Sequence, residues 1–459
     1  MLMTKKTKNL ILLIAGIQIV MIIGLVATPV VAQAIPGRYR VALQERIPLA
    51  SKVVEWVIGQ VAPVAAIPAP ETASQAEQVN ISALLQTEPT VAPTNTPVPT
   101  VVSQESNEGE TAVSLPTSTP IPTPTNTSTP EPLPTAVQIA GVGVVRQSFN
   151  NCGPANLTQV LNWYGSDITQ EQVAAYLKPS SEDRNVSPWQ IADYVNEQTL
   201  GEFKALAQSG GSLELIKRLV AAGFPVVIEK GYELPDSGWW GHYLTVFGYD
   251  DEQQILYSQD SYLGPWDGSG RTDSYEELKY YWQQFNYTFY VVYRPQQEAE
   301  VQAILGEEMV DRFSMWRNVA ALAEQETIDT PDYAFAWFNL GSALTELGAL
   351  TGEASYYQGG AQAYDRAREI GLEDRMLWYQ FRPYLAYLKV GRFDDVIALA
   401  DATLSTQGGR NVEETYWYKG LAQESQGLIA DAITSYETAL TINENAYYVE
   451  WSLNALTGG

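Results

Sequence analysis

At 459 residues and 45% hydrophobic content, the chain has room for two or three domains with real cores. A formal charge of −26 at pH 7 argues against a nucleic-acid partner, because phosphate binding needs a basic face. One cysteine and one histidine exclude an intramolecular disulfide and a structural zinc site of the Cys/His type, so no metal and no other cofactor is expected.

Residues 1–34 read as an export signal. Lys5, Lys6 and Lys8 precede an apolar run from Leu10 to Val31, and Ala32, Gln33 and Ala34 offer the small-x-small pattern of a signal-peptidase site. The run is also long enough to cross a bilayer. It is either cleaved after Ala34 or kept as an anchor, and its length favours the anchor. Lysines ahead of the span hold the N-terminus inside, so the rest is expected outside the cytoplasmic membrane, tethered there or secreted. Residues 35–61 form a short juxtamembrane segment. Residues 62–136, rich in Pro, Thr and Ser, are expected to be a disordered spacer, since proline removes backbone donors and such a composition buries little surface. A lone thiol without disulfides suits a bacterial surface better than a eukaryotic secretory route.

Residues 137–296 read as one α+β domain, helices first and then an antiparallel sheet. Val142 to Gln147 is expected to be a short strand. A helix starts at Cys152, with Leu157, Val160 and Leu161 at helical spacing, and ends at Gly165. Thr169 with Gln172, and Ser187 with Gln190, form capping boxes for two more helices, the second with Pro188 at its first position. Ser212 opens a fourth helix, closed by Gly223. Strands follow at Phe224–Glu229, His242–Tyr249, Gln254–Gln259 and Phe289–Tyr293, with a turn at Asp250–Gln253.

The only cysteine and the only histidine both fall in this domain. A thiol hydrolase works through the thiolate, which a helix N-terminus and a nearby imidazolium favour. Cys152 is placed to start a helix, where unpaired N–H groups supply that field. His242 sits at a strand start and is the candidate general base. Asp260, at the end of the neighbouring strand, would orient the ring. Gln147, five residues before Cys152, is placed to bring an amide into an oxyanion hole beside the Cys152 N–H. Trp239, Trp240, Tyr262 and Trp266 are either walls of an aromatic cleft or core and rim residues.

Gln147 followed by Cys152, Gly153, Pro154 and Ala155, then Gly241, His242 and Tyr243 running to Gly248, Tyr249 and Asp250, then Asp260, resembles the papain-like cysteine peptidases of the bacteriocin-leader-processing (double-glycine) type. It looks most like their free-standing secreted relatives. The resemblance covers 142–294. It implies a papain-like fold, Cys152 as nucleophile, His242 as base, Asp260 as orienting carboxylate and Gln147 as oxyanion donor. Leader-processing members are fused to an ATP-driven exporter, and this sequence carries no GxxxxGK phosphate loop. In the family the third residue is often followed by proline; here Ser261 follows Asp260, and Asp250 is the alternative carboxylate.

Residues 297–459 have no strand pattern and carry a repeat. Gly341, Gly348, Tyr364 and Ala367 mark one unit, Tyr387, Gly391 and Ala400 a second, and Gly420, Gly427, Ala432, Tyr436 and Ala439 a third. The spacing is 43 residues from Gly348 to Gly391 and 36 from Gly391 to Gly427, which an insertion around Thr351–Gln358 explains. Trp337, Leu340 and Gly341, and Ala432, Tyr436 and Ala439, resemble tetratricopeptide repeats. That resemblance implies a concave face for a peptide or partner protein. The expected activity is extracytoplasmic hydrolysis of a peptide or protein substrate. Two alternatives stay open: a catalytically silent domain on a protein-binding scaffold, and an amidase or acyl transferase using the same thiol.

Overall fold

The computed structural model describes residues 67–70, 78–86, 132–234, 238–406 and 408–458. The expected export and juxtamembrane segments, 1–34 and 35–61, and most of the 62–136 stretch lie outside the described residues. Among the described residues no helix is long and apolar enough to cross a membrane.

Among the described residues the first elements are α1 (Ile81–Gln86) and β1 (Ala136–Gln138), followed by α2 (Cys152–Trp163), α3 (Gln170–Leu177) and α4 (Pro188–Gln198). Both predicted capping boxes are formed: Thr169 and Gln172 satisfy each other's backbone N–H at the start of α3, and Ser187 and Gln190 do so at α4. Then come β2 (Lys204–Gln208), α5 (Leu213–Ala221, capped by Ser212), β3 (Val226–Leu234), β4 (Gly238–Asp250), β5 (Ile255–Gln259), β6 (Arg271–Ser274), α6 (Tyr275–Gln283) and β7 (Phe289–Tyr293). The strands form one antiparallel sheet in the order β2-β7-β3-β4-β5-β6. β1 pairs with Gly248–Asp250 of β4, beyond the point where the β3 pairing ends at Val246.

The sheet is covered on both faces, which explains why β3, β4 and β7 are buried along most of their length. Leu157, Val160, Val173, Ile191 and Val195 from α2–α4 pack against Val227, Tyr243, Tyr290 and Val292. Ile216, Leu219 and Trp282 from α5 and α6 pack against Val226, Ile228, Leu244 and Phe289 on the other side.

Three expectations are corrected. Val142–Gln147 is not a strand. Its backbone is satisfied piecemeal, Val145 N–H by Gln159 Oε1 (3.1 Å) and Gln147 N–H by the Ser261 carbonyl (2.9 Å), leaving no ladder to extend. Helices and strands also interleave rather than separate, because β2, β6 and α6 escape the hydrophobic pattern. Finally, part of the 62–136 stretch is docked. Val79 N–H donates to Gln362 Oε1 (3.0 Å), and Arg368 donates to the Pro68 and Ala69 carbonyls (2.9 Å each).

From Glu298 onward the described residues are all helical apart from short connections: α7 (Glu298–Leu305), α8 (Glu307–Val310), α9 (Arg312–Asp329), then the pairs α10 (Ala334–Thr351) with α11 (Ala354–Ile370), α12 (Arg382–Lys389) with α13 (Phe393–Ser405), α14 (Glu413–Ser425) with α15 (Ile429–Ile442), and α16 (Tyr447–Thr457). Gly341 and Gly420 lie directly under the rings of Tyr364 and Tyr436, where a Cβ would sit 2.8 and 2.4 Å from ring carbons. Gly391 and Gly427 are turn glycines with φ of 76° and 77°, but Gly348 is inside α10; its turn glycine is Gly352, φ 74°. Most of the longer first interval therefore reflects a one-turn misalignment; no loop is inserted at 351–358, where only Gly352 and Glu353 separate α10 from α11.

The helical region and the α+β domain share an apolar seam. Trp239, 2% exposed, stacks on Phe285 (5.7 Å between centroids) and meets Phe335 of α10 and Tyr379. Asn339 Nδ2 donates to the Gln283 carbonyl (2.6 Å), and Asn286 Nδ2 donates back to the Asn339 carbonyl (3.1 Å). Arg375 Nη1 donates to the Trp239 carbonyl (2.9 Å). Trp239→Ala is expected to cost about 3–5 kcal/mol, the range for truncating a buried large aromatic, and to lower a single transition of the full chain in scanning calorimetry. Separate melting of the two regions in the wild type would contradict a shared core.

Candidate active site

Cys152 is the first residue of α2 and is only partly buried, at the edge of the core formed with α3 and α4. Asn151 makes no side-chain cap, and Pro154 has no N–H, so the first-turn N–H groups of Cys152 and Gly153 stay available. They present the positive end of the helix dipole to the sulfur and to any anion formed beside it. Gly153 is buried and faces Ile191, Val186 and Tyr243 at ordinary contact distance for an added Cβ. Lys178, 2% exposed, donates to Asn151 Oδ1 at 3.3 Å, and burial holds its pKa below the usual lysine value.

His242 lies in β4 opposite Lys230 of β3. Its Nε2 is 3.1 Å from Asp260 Oδ1, and Cys152 lies near enough to favour the charged ring. With Nε2 on the carboxylate, Nδ1 is the nitrogen left for the sulfur. Asp260 directly follows β5, whose last residue, Gln259, pairs with Thr245 of β4. That register brings the carboxylate past the histidine. Asp260 is 1% exposed, and its Oδ1 also accepts the Tyr262 and Leu263 N–H groups, both at 2.8 Å. Burial opposes its charge, but the His242 charge and hydrogen bond, with those two N–H groups, bring the carboxyl down to about 2. Burial alone would lower the imidazole, yet Asp260 and then Cys152 outweigh it and raise His242 to about 9.

Gln147 stands on the same side. Its N–H donates to the Ser261 carbonyl (2.9 Å), and its Oε1 accepts from Ser261 Oγ (2.8 Å). Asn156, one turn into α2 and fully buried, ties the pieces together. Its Nδ2 lies 2.9 Å from the Cys152 carbonyl, 3.0 Å from the Tyr243 carbonyl and 3.2 Å from Ser261 Oγ. Its Oδ1 accepts from Gln159 (2.9 Å) and Thr245 (2.8 Å). Cys152 and Gln147 are thus joined through Asn156 and Ser261, and Ser261 adjoins Asp260, the partner of His242.

The structure separates the alternatives left open in sequence. Asp250 is at the far end of β4, where Oδ1 accepts the Glu252 and Gln253 N–H groups (3.0 Å each) as a turn residue. Trp239 is core, not cleft. Trp240 is half-buried under Arg375 (4.1 Å to the ring centroid) and edge-on to Trp378 (5.8 Å). Tyr262 sits 6.4 Å from the His242 ring, and Trp266 is 41% exposed with Arg146 over it at 4.5 Å. Sequence reasoning gave no role to Asn156, Gln159, Ser261 and Lys178. Asn156 and Gln159 left a signal as two amides at i+4 and i+7 from Cys152 on one helix face, and Ser261 as the residue standing where proline is familiar. Among the described residues no cluster of His, Cys, Asp and Glu suited to a metal ion occurs.

Residues 133–290 match the family model described as Peptidase_C39 like family. The match suggests a cysteine peptidase, and it spans the region that holds all four site residues. No curated protein and no solved structure matches the chain.

The pair also governs stability. The lowered Asp260 pKa stabilises above its ordinary 3.8, and that contribution is lost as pH falls through about 2. The raised His242 pKa stabilises below its ordinary 6.5, and that contribution is lost as pH rises through about 9. The difference in unfolding free energy between wild type and Asp260→Asn, measured in urea, is expected to be widest between those ordinary values and to shrink above about pH 9. A difference that grows there would contradict the pairing.

Proposed function

We propose that the chain is an extracytoplasmic cysteine peptidase, tethered or secreted through its N-terminal segment, that hydrolyses a peptide amide. The observation that carries this is the buried His242–Asp260 pair at 3.1 Å, in the same domain as a thiol placed at a helix N-terminus. Cys152 forms the C–S bond, and the carbonyl electron pair moves onto oxygen, where the Cys152 N–H and the Gln147 amide receive it. The His242 imidazolium gives its proton to the departing amine. The neutral ring then takes a proton from water, which attacks the thioester and releases the acid. Asp260 holds the ring's tautomer and orientation throughout.

An amidase or acyl transferase would use the same steps; the family match favours the peptidase reading. The paired helices resemble tetratricopeptide repeats. We assign them the role of meeting a peptide or protein beside the cleft, because Arg375 and Trp378 lie against Trp240, two residues from His242.

Iodoacetamide labelling of the full chain from pH 4 to 9 tests the reading. Cys152, the only thiol, is expected to alkylate quickly at pH 6, and His242→Ala to slow this at least about tenfold by removing the imidazolium. Cys152→Ala is expected to abolish cleavage of a mixed peptide library. Equal alkylation with and without His242 would favour the silent scaffold.

A further inference from the structure

We infer that Ser261 is the positioning residue that orients the Gln147 amide for oxyanion binding, an assignment that rests on the thiol-hydrolase reading above. An amide side chain has two nearly isosteric ends, and only the –NH₂ end helps an oxyanion; the carbonyl end would repel it. What decides the orientation is the direction of the hydrogen bonds that reach it.

That direction is set two hydrogen bonds away, at Asn156. Asn156 cannot turn over, because its Nδ2 faces the carbonyls of Cys152 and Tyr243, which only accept. Its Oδ1 is in turn met by the Gln159 amide and the Thr245 hydroxyl. Nδ2 also reaches Ser261 Oγ at 3.2 Å, so the serine accepts on that side. The Ser261 proton then goes to Gln147 Oε1 at 2.8 Å, the only acceptor it meets among the described residues. With Oε1 held, Gln147 Nε2 is turned away from Ser261 and left as a free donor. Ser261 is fully buried, so water does not compete for either bond. Its carbonyl meanwhile receives the Gln147 N–H (2.9 Å), so one residue fixes both the backbone and the side chain of the oxyanion donor.

Two reagents separate this role from a structural one. N-acetylglycine p-nitrophenyl ester acylates the thiol through a tetrahedral oxyanion: the C–S bond forms, the carbonyl pair moves to oxygen, and its return expels p-nitrophenolate. Iodoacetamide alkylates the same sulfur by displacing iodide, with no oxyanion. Gln147→Ala is expected to slow nitrophenolate release about 100-fold. Ser261→Ala should slow it about tenfold, with the double variant no slower than Gln147→Ala alone. Ser261→Thr, which keeps the hydroxyl, is expected to restore most of the rate. Alkylation should change less than about twofold in every variant, which also reports an intact fold. The inference is overturned if Ser261→Ala slows alkylation as much as acylation. It is equally overturned if the two substitutions multiply, or if wild type alkylates rapidly yet releases no nitrophenolate. Wild type that neither acylates nor alkylates faster than a free thiol would instead remove the thiol-hydrolase reading itself, and this inference with it.

Discussion

A buried carboxylate must be paired, and here the pairing organises the site. Asp260 is almost wholly removed from water, and it keeps its charge because His242 and two N–H groups meet it. Removing one partner of such a pair typically costs about 3–5 kcal/mol, because the other charge is left without compensation. The constraint runs outward from there. The β4–β5 register has to deliver the carboxylate beside the imidazole, and the ring has to present its other nitrogen to a sulfur carried by a different element, α2. Because the imidazole is held charged to about pH 9, the thiol faces a cation across the whole neutral range.

Around this pair the polar groups are arranged as a connected set. Asn156 links the Cys152 carbonyl to the sheet and to Ser261; Ser261 links it to Gln147; Gln159 and Thr245 back it from behind. A buried network of this kind is rigid when its members are satisfied, and rigidity is what a pre-organised oxyanion site needs. The helical region closes the remaining side. Gly241, beside the histidine, has no room for a Cβ, which would lie 2.9 Å from Phe285 and 3.0 Å from Tyr379. Burial also pushes the Glu229 carboxyl up to about 8, against the lowering effect of Arg382 in the helical region.

Much of this was legible in the residues, and the misses share one cause. Cys152 at a helix start, both capping boxes and the strand at Phe289–Tyr293 are local: hydrophobic period, cap chemistry and β-branched runs decide them within a few residues. The Cys–His–Asp assembly was legible because the chain has one cysteine and one histidine to choose from. Ser261 showed only as a departure from a familiar proline, since its role depends on partners far along the chain at Asn156 and Gln147. Val142–Gln147 has strand composition but no free ladder, a tertiary fact. Trp239 was ambiguous between cleft and core because its fate depends on Tyr379 and Phe335, residues of the helical region. The turn at Gly352 was misplaced by one helical turn because Gly348, pressed against Tyr357 inside α10, is also a conspicuous glycine.

His242 is the only histidine in the chain, so its imidazole gives a single, self-assigned set of ring signals in a nitrogen-detected NMR titration. The account predicts a ring that stays charged until about pH 9 in the wild type, with a protected Nε2 proton on Asp260. In Cys152→Ala the midpoint should fall, because one of the two groups that hold the proton is gone. A wild-type ring that titrates at the ordinary 6.5, unmoved by loss of the thiol, would contradict it.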